Sequence, residues 1–189
     1  MLFRSDQERE FRTNALPAYW ETVGAMASDL EEAMHSTTWI GDRAVDELQG
    51  WSGSGNLLMV GFVKPHHPFD PPAPWSRMYD PRTLNLLPGW LAASLPRDLA
   101  HNAGYFPHAE LTEWKVRQAM AMYYATISQI DHHVGRLLGV LRQKGLLERT
   151  LVVLTSDHGE YMGFHHLLLK ANHLRSEERR VGKECRSRW

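Results

Sequence analysis

The apolar residues of the chain follow two patterns, which predict two kinds of element. From Val116 to Leu141 they recur every three or four residues, and this spacing predicts a long amphipathic helix that ends near Gly145. A shorter helix is predicted from a cap at residues 36–38 to about Leu48. Both helices would bury one face and leave the other polar.

Two other apolar runs are short and continuous. Residues 57–62 and 150–154 are flanked by turn signals, which is typical of buried parallel strands. The proline-rich stretch 63–100 predicts an irregular excursion, and residues 6–34 predict loop with some helix. The order helix, strand, crossover, helix, strand indicates an α/β fold with an open parallel sheet.

Composition narrows the class of protein. The 189 residues are 43% hydrophobic and 23% charged, which favours a globular domain over a disordered chain. A formal net charge of -1 gives no reason to expect nucleic acid or an anionic membrane as a partner. No apolar run approaches the roughly 20 residues that a membrane span needs. The single cysteine, Cys185, excludes an internal disulfide framework.

The two ends differ from the middle. Residues 175–189 include six Lys or Arg and three Glu and have no periodicity, which would suit either a basic arm for nucleic acid or a foreign tail. The segment resembles translated sequencing-adapter sequence, and so does the opening Leu2-Phe3-Arg4-Ser5. We therefore expect a non-native leader at 1–5, a natural and mildly acidic domain at 6–174, and a non-native tail at 175–189.

Polar clusters follow both predicted strands. Residues 64–68, Lys-Pro-His-His-Pro, come after the first strand, and residues 156–159, Ser-Asp-His-Gly, come after the second. Ligand sites of open α/β sheets lie beyond the carboxyl ends of the parallel strands. These two clusters are therefore the strongest functional signal in the chain.

Each candidate residue has a functional and a structural interpretation. Asp157 and His158 could both reach one divalent cation, or they could be a helix cap and an incidental histidine. His66 and His67, between prolines, could be held as donors to an anionic substrate or be solvated loop residues. Lys170 could neutralise an oxyanion or be an ordinary exposed lysine.

The remaining histidines predict less chemistry. His132 and His133 follow Asp131 within the long helix, and adjacent helical residues point in different directions. We expect all three at the helix surface or in local hydrogen bonds. His35, His101 and His108 stand alone and are expected to be structural or solvated.

Four stretches together resemble the sulfatase family of the alkaline-phosphatase superfamily, in the family order and with similar spacing. They are HSTTWIGDRAVDEL (35–48), LLMVGFVKPHHPFDPP (57–72), YYATISQIDHHVGRLLGVLRQKGLLERTLVVLTSDHGE (123–160) and GFHHLLLK (163–170). The resemblance implies that superfamily's α/β parallel-sheet sandwich, here incomplete at both ends. Phe164 and Leu169 depart from the acidic and small residues that are common at those positions.

The resemblance also implies a role for each candidate. Asp157 and His158 would be two ligands of the active-site divalent cation, calcium in most members, with manganese as the alternative. His66 would contact the sulfate or the leaving-group oxygen, and Lys170 would contact the sulfate oxygens. Each of the two would then be both a catalytic and a substrate-binding residue. The substrate would be a sulfate ester of a small molecule or glycan, with neither nucleic acid nor membrane as a partner.

The family's nucleophile is a formylglycine, made from Cys or Ser in a Cys/Ser-x-Pro/Ala-x-Arg motif. No such motif occurs here, and Cys185 is followed by Arg-Ser-Arg. We therefore expect a partial catalytic domain that is inactive alone. The alternatives are part of a phosphonate monoester or phosphodiester hydrolase of the same superfamily, or a non-catalytic domain.

Overall fold

The computed structural model describes residues 16–90, 106 and 110–170 of the chain. These residues form two compact units. The first consists of the described residues up to Leu84 together with Arg117–Val152, and the second holds the described residues of Asn85–Val116 and those from Val153 onward. Each unit is described in turn.

Both predicted helices are present. Helix α1 is Pro17–Glu21, α2 is Ser36–Gly50, and α3 is Glu113–Gln143. The long helix ends close to the predicted Gly145, which has the positive φ of +64° that favours glycine after a helix. Short 3-10 turns complete the described helices: Glu32–Met34, Trp75–Arg77, Pro81–Thr83, Leu147–Arg149 and Phe164–His166.

The start of α2 differs from the predicted cap at residues 36–38. Ser36 is already helical, and the residue before the helix, His35, takes the capping role. Its Nδ1 accepts a hydrogen bond from the backbone N–H of Thr37 at 3.3 Å. The first N–H groups of a helix have no partner within the helix, and a side-chain oxygen usually accepts from one of them. Here the ring nitrogen of His35 is the acceptor. His35 is buried, so the structural interpretation of this histidine is confirmed.

Within the first unit, helices α2 and α3 run in the same direction, because residues later in α2 contact residues later in and just after α3. Three hydrogen bonds in the described part of the chain show this order: Gln129 Nε2 to Thr38 Oγ1 (3.4 Å), Arg136 Nη1 to Asp42 Oδ1 (2.7 Å) and Lys144 Nζ to the Gln49 carbonyl (2.6 Å). An apolar cluster of Leu48, Val140 and Leu141 lies at the carboxyl-terminal end of this pair. Parallel neighbours need a long connection, and residues 51–112 provide it.

The middle of the helix pair is polar rather than apolar. His133 is buried there rather than at the helix surface, so of its two predicted settings the local hydrogen bond applies, whereas His132 is exposed as predicted. Gly41 explains the burial, since a Cβ at that position would lie 2.2 Å from Nδ1 of His133. The same Nδ1 accepts from Arg136 Nη1 at 2.9 Å, so the predicted local hydrogen bond is present.

The two predicted strands do not form among the described residues. The bridge that the described residues contain is a parallel one between Ala25 and Phe69. In the first run Leu57 is 93% exposed while Leu58 packs against the apolar cluster, and in the second run Leu151 is 89% exposed, so neither run is buried on both faces as predicted. A strand is buried by the strands and helices on either side of it, which its own sequence does not specify. The parallel sheet stays a prediction.

The second unit is built around a turn from Glu160 to Lys170. Met162 N donates to the Leu168 carbonyl at 3.0 Å, and Gly163 N donates to the Leu167 carbonyl at 2.7 Å. Gly163 has φ of +95°, and a Cβ there would lie 2.8 Å from Val116 Cγ1. The apolar residues buried in this unit are Phe106, Leu111, Val116, Tyr161, Met162, Leu167 and Leu168.

Several predictions fall outside the described residues. They concern the leader at 1–5, the tail at 175–189, His101, His108 and Cys185. Within the described part of the chain, no helix is both long enough and apolar enough to cross a membrane.

Candidate active-site residues

Asp157 and His158 occupy a tight turn held by its own side chains. The Asp157 Oδ1 accepts from the backbone N–H of His158 at 2.9 Å, and the Ser156 hydroxyl donates to the His158 carbonyl at 2.7 Å. These bonds fix the backbone on which both side chains are carried. The Asp157 side chain is 87% exposed, and that of His158 is more shielded.

The hydrogen bonding of His158 fixes its tautomer. Its Nδ1 lies 3.1 Å from the Gly159 carbonyl oxygen, which only accepts, so Nδ1 carries the proton and the neutral ring has its lone pair on Nε2. That Nε2 lies 3.6 Å from Asp157 Oδ2, too far for a good hydrogen bond. Imidazole bound through one nitrogen, with the other donating to a carbonyl, is the usual arrangement of a metal-ligating histidine.

The Asp157–His158 pair therefore fits a divalent cation. Ligand bonds to calcium or a first-row metal are roughly 2.0–2.6 Å long, so two ligand atoms 3.6 Å apart can share one ion. These residues supply two ligands. Within the described residues, no group of three or more His, Cys, Asp or Glu side chains is arranged to hold a metal ion.

Lys170 is tied to the same segment through Glu160. Its backbone N–H donates to Glu160 Oε2 at 2.7 Å, while the lysine itself is exposed. Burial raises the pKa of the Glu160 carboxyl, and the Lys170 N–H and the charges of Lys170 and His158 oppose that shift. The turn thus returns Lys170 to the segment that carries Asp157 and His158, all within the second unit.

His66 and His67 belong to the first unit and have opposite environments. His66 is exposed, and its Nδ1 lies 2.5 Å from the His67 carbonyl oxygen. His67 is buried, its Nδ1 bonded to the Tyr19 hydroxyl at 3.2 Å and its ring edge-on to Phe69. Of the two, His66 is the histidine that a dissolved substrate could contact.

Taken together, the predicted site residues fall into two groups. Asp157, His158 and Lys170 lie in the second unit, and His66 lies in the first. Their roles toward metal and substrate stay predictions at this point.

Comparison with known proteins identifies the family. The sulfatase family model matches residues 4–181, which is most of the chain. The chain belongs to the sulfatase family. The stretches that carried the resemblance all lie inside the matched range.

Two relatives of this sulfatase-family chain cover about three quarters of its length. The multifunctional alkaline phosphatase superfamily protein PehA of Trinickia caryophylli is 33% identical over 158 residues, 76% of this chain and 31% of that protein. The arylsulfatase of Clostridium perfringens is 32% identical over 143 residues, 74% of this chain and 30% of that protein. The chain thus spans less than a third of the length of these relatives.

A solved structure supports the same superfamily fold. The phosphonate monoester hydrolase of Agrobacterium radiobacter superposes with a TM-score of 0.64 at 25% identity, over 77% of this chain and 32% of that chain. The sulfatase-family chain is therefore similar in fold to this hydrolase. The central sheet of the predicted sandwich is not seen in the described residues.

Two residues of this sulfatase-family chain have contacts that their sequence positions do not predict. The sequence presents Lys64 only as part of a polar cluster, yet it is buried and paired with Asp70 at 2.5 Å. Glu160 has no predicted role, yet it joins the two ends of the turn that carries Lys170. A signal exists for Lys64, since an acidic residue closes the proline loop that the lysine opens.

Proposed function

We propose that this chain carries part of the active site of a metal-dependent sulfatase that hydrolyses sulfate esters. Asp157 and His158 would hold the divalent cation, calcium in first place and manganese as the alternative. The observation that carries the proposal is the pairing of Asp157 Oδ2 with the lone-pair nitrogen of His158, 3.6 Å apart, on a segment of the family's sequence.

Each further residue has a distinct task in the proposed chemistry. A bound divalent cation polarises the sulfate group and lowers the pKa of a nucleophile beside it. The Lys170 ammonium neutralises charge on the sulfate oxygens as a point charge. His66 contacts the sulfate or the leaving-group oxygen through Nε2, because its Nδ1 proton is held by the His67 carbonyl.

On its own the chain is proposed to bind without turnover. It contains no Cys/Ser-x-Pro/Ala-x-Arg motif from which the formylglycine nucleophile is made. Hydrolysis of an aryl sulfate by purified residues 1–189 with added calcium, above a heat-denatured control, would contradict this part of the proposal. A non-catalytic domain would show neither turnover nor the metal response described next.

The test of the metal site is a calcium titration followed by NMR. We expect the resonances of Asp157 and His158 to move, with the weak affinity that two protein ligands give, and the response to disappear in Asp157→Asn. Asp131→Asn, which removes an exposed carboxylate on α3, is the matched control and should titrate like the native chain. A native response that survives Asp157→Asn would overturn the assignment.

Phosphonate monoester hydrolysis is the second candidate, and the match to the Agrobacterium radiobacter enzyme favours it. An aryl sulfate and an aryl phosphonate monoester each present one negative charge, so charge alone does not separate them. Titrating both in the presence of calcium, with His66 and Lys170 as reporters, compares the two directly. Tighter binding of the sulfate supports the sulfatase, and tighter binding of the phosphonate supports the alternative.

A further inference from the structure

Lys64 is a buried charge at the base of the loop that carries His66. Its side chain is only 6% exposed, and its ammonium faces three acceptors. Asp70 Oδ1 lies at 2.5 Å, the Pro68 carbonyl oxygen at 2.7 Å and the His66 carbonyl oxygen at 3.5 Å. A lysine is expensive to bury unless it is paired and hydrogen-bonded, and this one meets both conditions.

The acceptors of Lys64 lie on both sides of one residue, His67. The ammonium binds the carbonyl before it and the carbonyl after it, so it restricts the orientation of the peptide between them. The ring of His67 is held as well, by the Tyr19 hydroxyl and by a notch at Gly24, where a Cβ would lie 2.0 Å from His67 Nε2. The His67 carbonyl is therefore fixed from several directions.

The His67 carbonyl in turn fixes the ring of His66. A carbonyl oxygen only accepts, so the 2.5 Å contact with His66 Nδ1 requires the proton on Nδ1. The lone pair of the neutral ring then lies on Nε2, which is where the ring gains and releases its second proton. An imidazole without such a partner favours the opposite tautomer, with the proton on Nε2.

We propose that Lys64 is a positioning residue for His66, acting through the His67 carbonyl to set the tautomer and orientation of the His66 ring. The purpose of this positioning, which is to present Nε2 to the sulfate or leaving-group oxygen, rests on the proposed function. A buried ion pair is often replaced by apolar side chains at little cost in stability, so stability alone gives weak reason for a lysine here. The contacts of its ammonium with the carbonyls on either side of His67 give a stronger reason.

The test reads the tautomer directly from the imidazole nitrogen shifts of the uniformly ¹⁵N-labelled chain, at an alkaline pH where imidazole rings are neutral. In the native chain we expect His66 with a protonated Nδ1. In Lys64→Met, which keeps the length and loses the charge, we expect the population to shift toward the Nε2-protonated form. Lys144→Met is the matched control, because exposed Lys144 also donates to a carbonyl, that of Gln49.

Each outcome decides the matter. A folded Lys64→Met chain, with the signals of His133 unchanged, that keeps His66 protonated on Nδ1 would overturn the proposal. If Lys64→Met does not fold, the double variant Lys64→Met/Asp70→Leu takes its place, because it removes both charges of the buried pair together. An unchanged His66 tautomer in the folded double variant overturns the proposal equally.

Adding sulfate separates this inference from the proposed function. If Lys64→Met shifts the tautomer but sulfate perturbs His66 in no variant, Lys64 positions the ring and the sulfatase role of His66 fails. If sulfate perturbs His66 equally in the native chain and in a Lys64→Met chain of unchanged tautomer, the sulfatase role stands and the role of Lys64 fails. The tautomer measurement itself needs no substrate, metal or turnover.

Discussion

Gly41 of α2 lies directly against the imidazole of His133 of α3, where a Cβ would approach Nδ1 to 2.2 Å. We expect Gly41→Ala to lower the free energy of unfolding by about 1–3 kcal/mol, because the buried ring must shift away from its bond with Arg136. Denaturant melts measure the change. Gly135→Ala is the control, since nothing lies near its Cβ and alanine favours helix by up to about 1 kcal/mol. Equal effects of the two substitutions would contradict the contact.

His133 should make the first unit sensitive to acid. Burial lowers its pKa from 6.5, aided by the charges of Arg136 and His132 and opposed by Asp42 and Glu32. Well above pH 6.5 the ring is neutral in both states and the stability is fully present. As the pH falls through 6.5 the unfolded chain takes up the proton first, so stability is lost until the pH passes below the lowered pKa of the folded ring.

Substitution of His133 by Asn tests that acid sensitivity. The amide oxygen of Asn can still accept from Arg136, but it does not titrate. We expect the free energy of unfolding to vary less between pH 7.5 and 5 in His133→Asn than in the native chain. His132→Asn, at the exposed neighbouring position, should retain the native pH profile. A native slope in His133→Asn would assign the acid sensitivity to other groups.

Glu160 should hold the backbone of Lys170. In Glu160→Gln the amide oxygen can still accept the Lys170 N–H, whereas Glu160→Ala leaves it without that acceptor. We therefore expect faster hydrogen exchange of the Lys170 amide in the alanine variant and near-native exchange in the glutamine variant. Burial raises the pKa of Glu160, so its ionised form is disfavoured in the folded chain, and both variants remove that cost. Unchanged exchange in Glu160→Ala would show that the turn closes without Glu160.

The exposed apolar runs predict dye-binding surface on the folded chain. Leu151 is exposed and Leu141 is in the apolar cluster of the first unit, so the two leucines are a matched pair. Leu151→Ala should reduce the fluorescence of a hydrophobic dye and change stability by less than about 0.5 kcal/mol. Leu141→Ala should cost about 2–5 kcal/mol. Cooperative melting of the native chain with no dye binding would contradict the exposure.

The helices were predictable because their signal is local. Periodic apolar residues around Val116 and Leu141 report the face that a helix buries, whatever it packs against. The exposure of Leu57 and of residues 151–154 was not predictable, because a continuous apolar run gives no information on which neighbours cover it. The burial of His133 was hidden for a related reason, since the glycine that makes room for it lies 92 positions away in the sequence.

The candidate site was predictable only in part. The adjacency of Asp157 and His158 is a property of the sequence, so residue order alone is enough to suggest a metal pair. The tautomer of His158 depends on the direction of one carbonyl, which no residue pattern reveals. The pairing of Lys64 with Asp70 likewise depends on the path of a proline loop. Residue types indicated the chemistry, and backbone geometry determined which ring nitrogen faces outward.

The exposed run near Leu151 also bears on whether copies of the chain stay separate. Residues 150–155 are uncharged, rich in β-branched side chains and free of proline, which is the composition of segments that stack into cross-β fibrils. Presented at a surface, such a segment can template identical copies of itself. We therefore expect the folded chain to self-associate through that run at raised concentration, however stable the helix pair beside it.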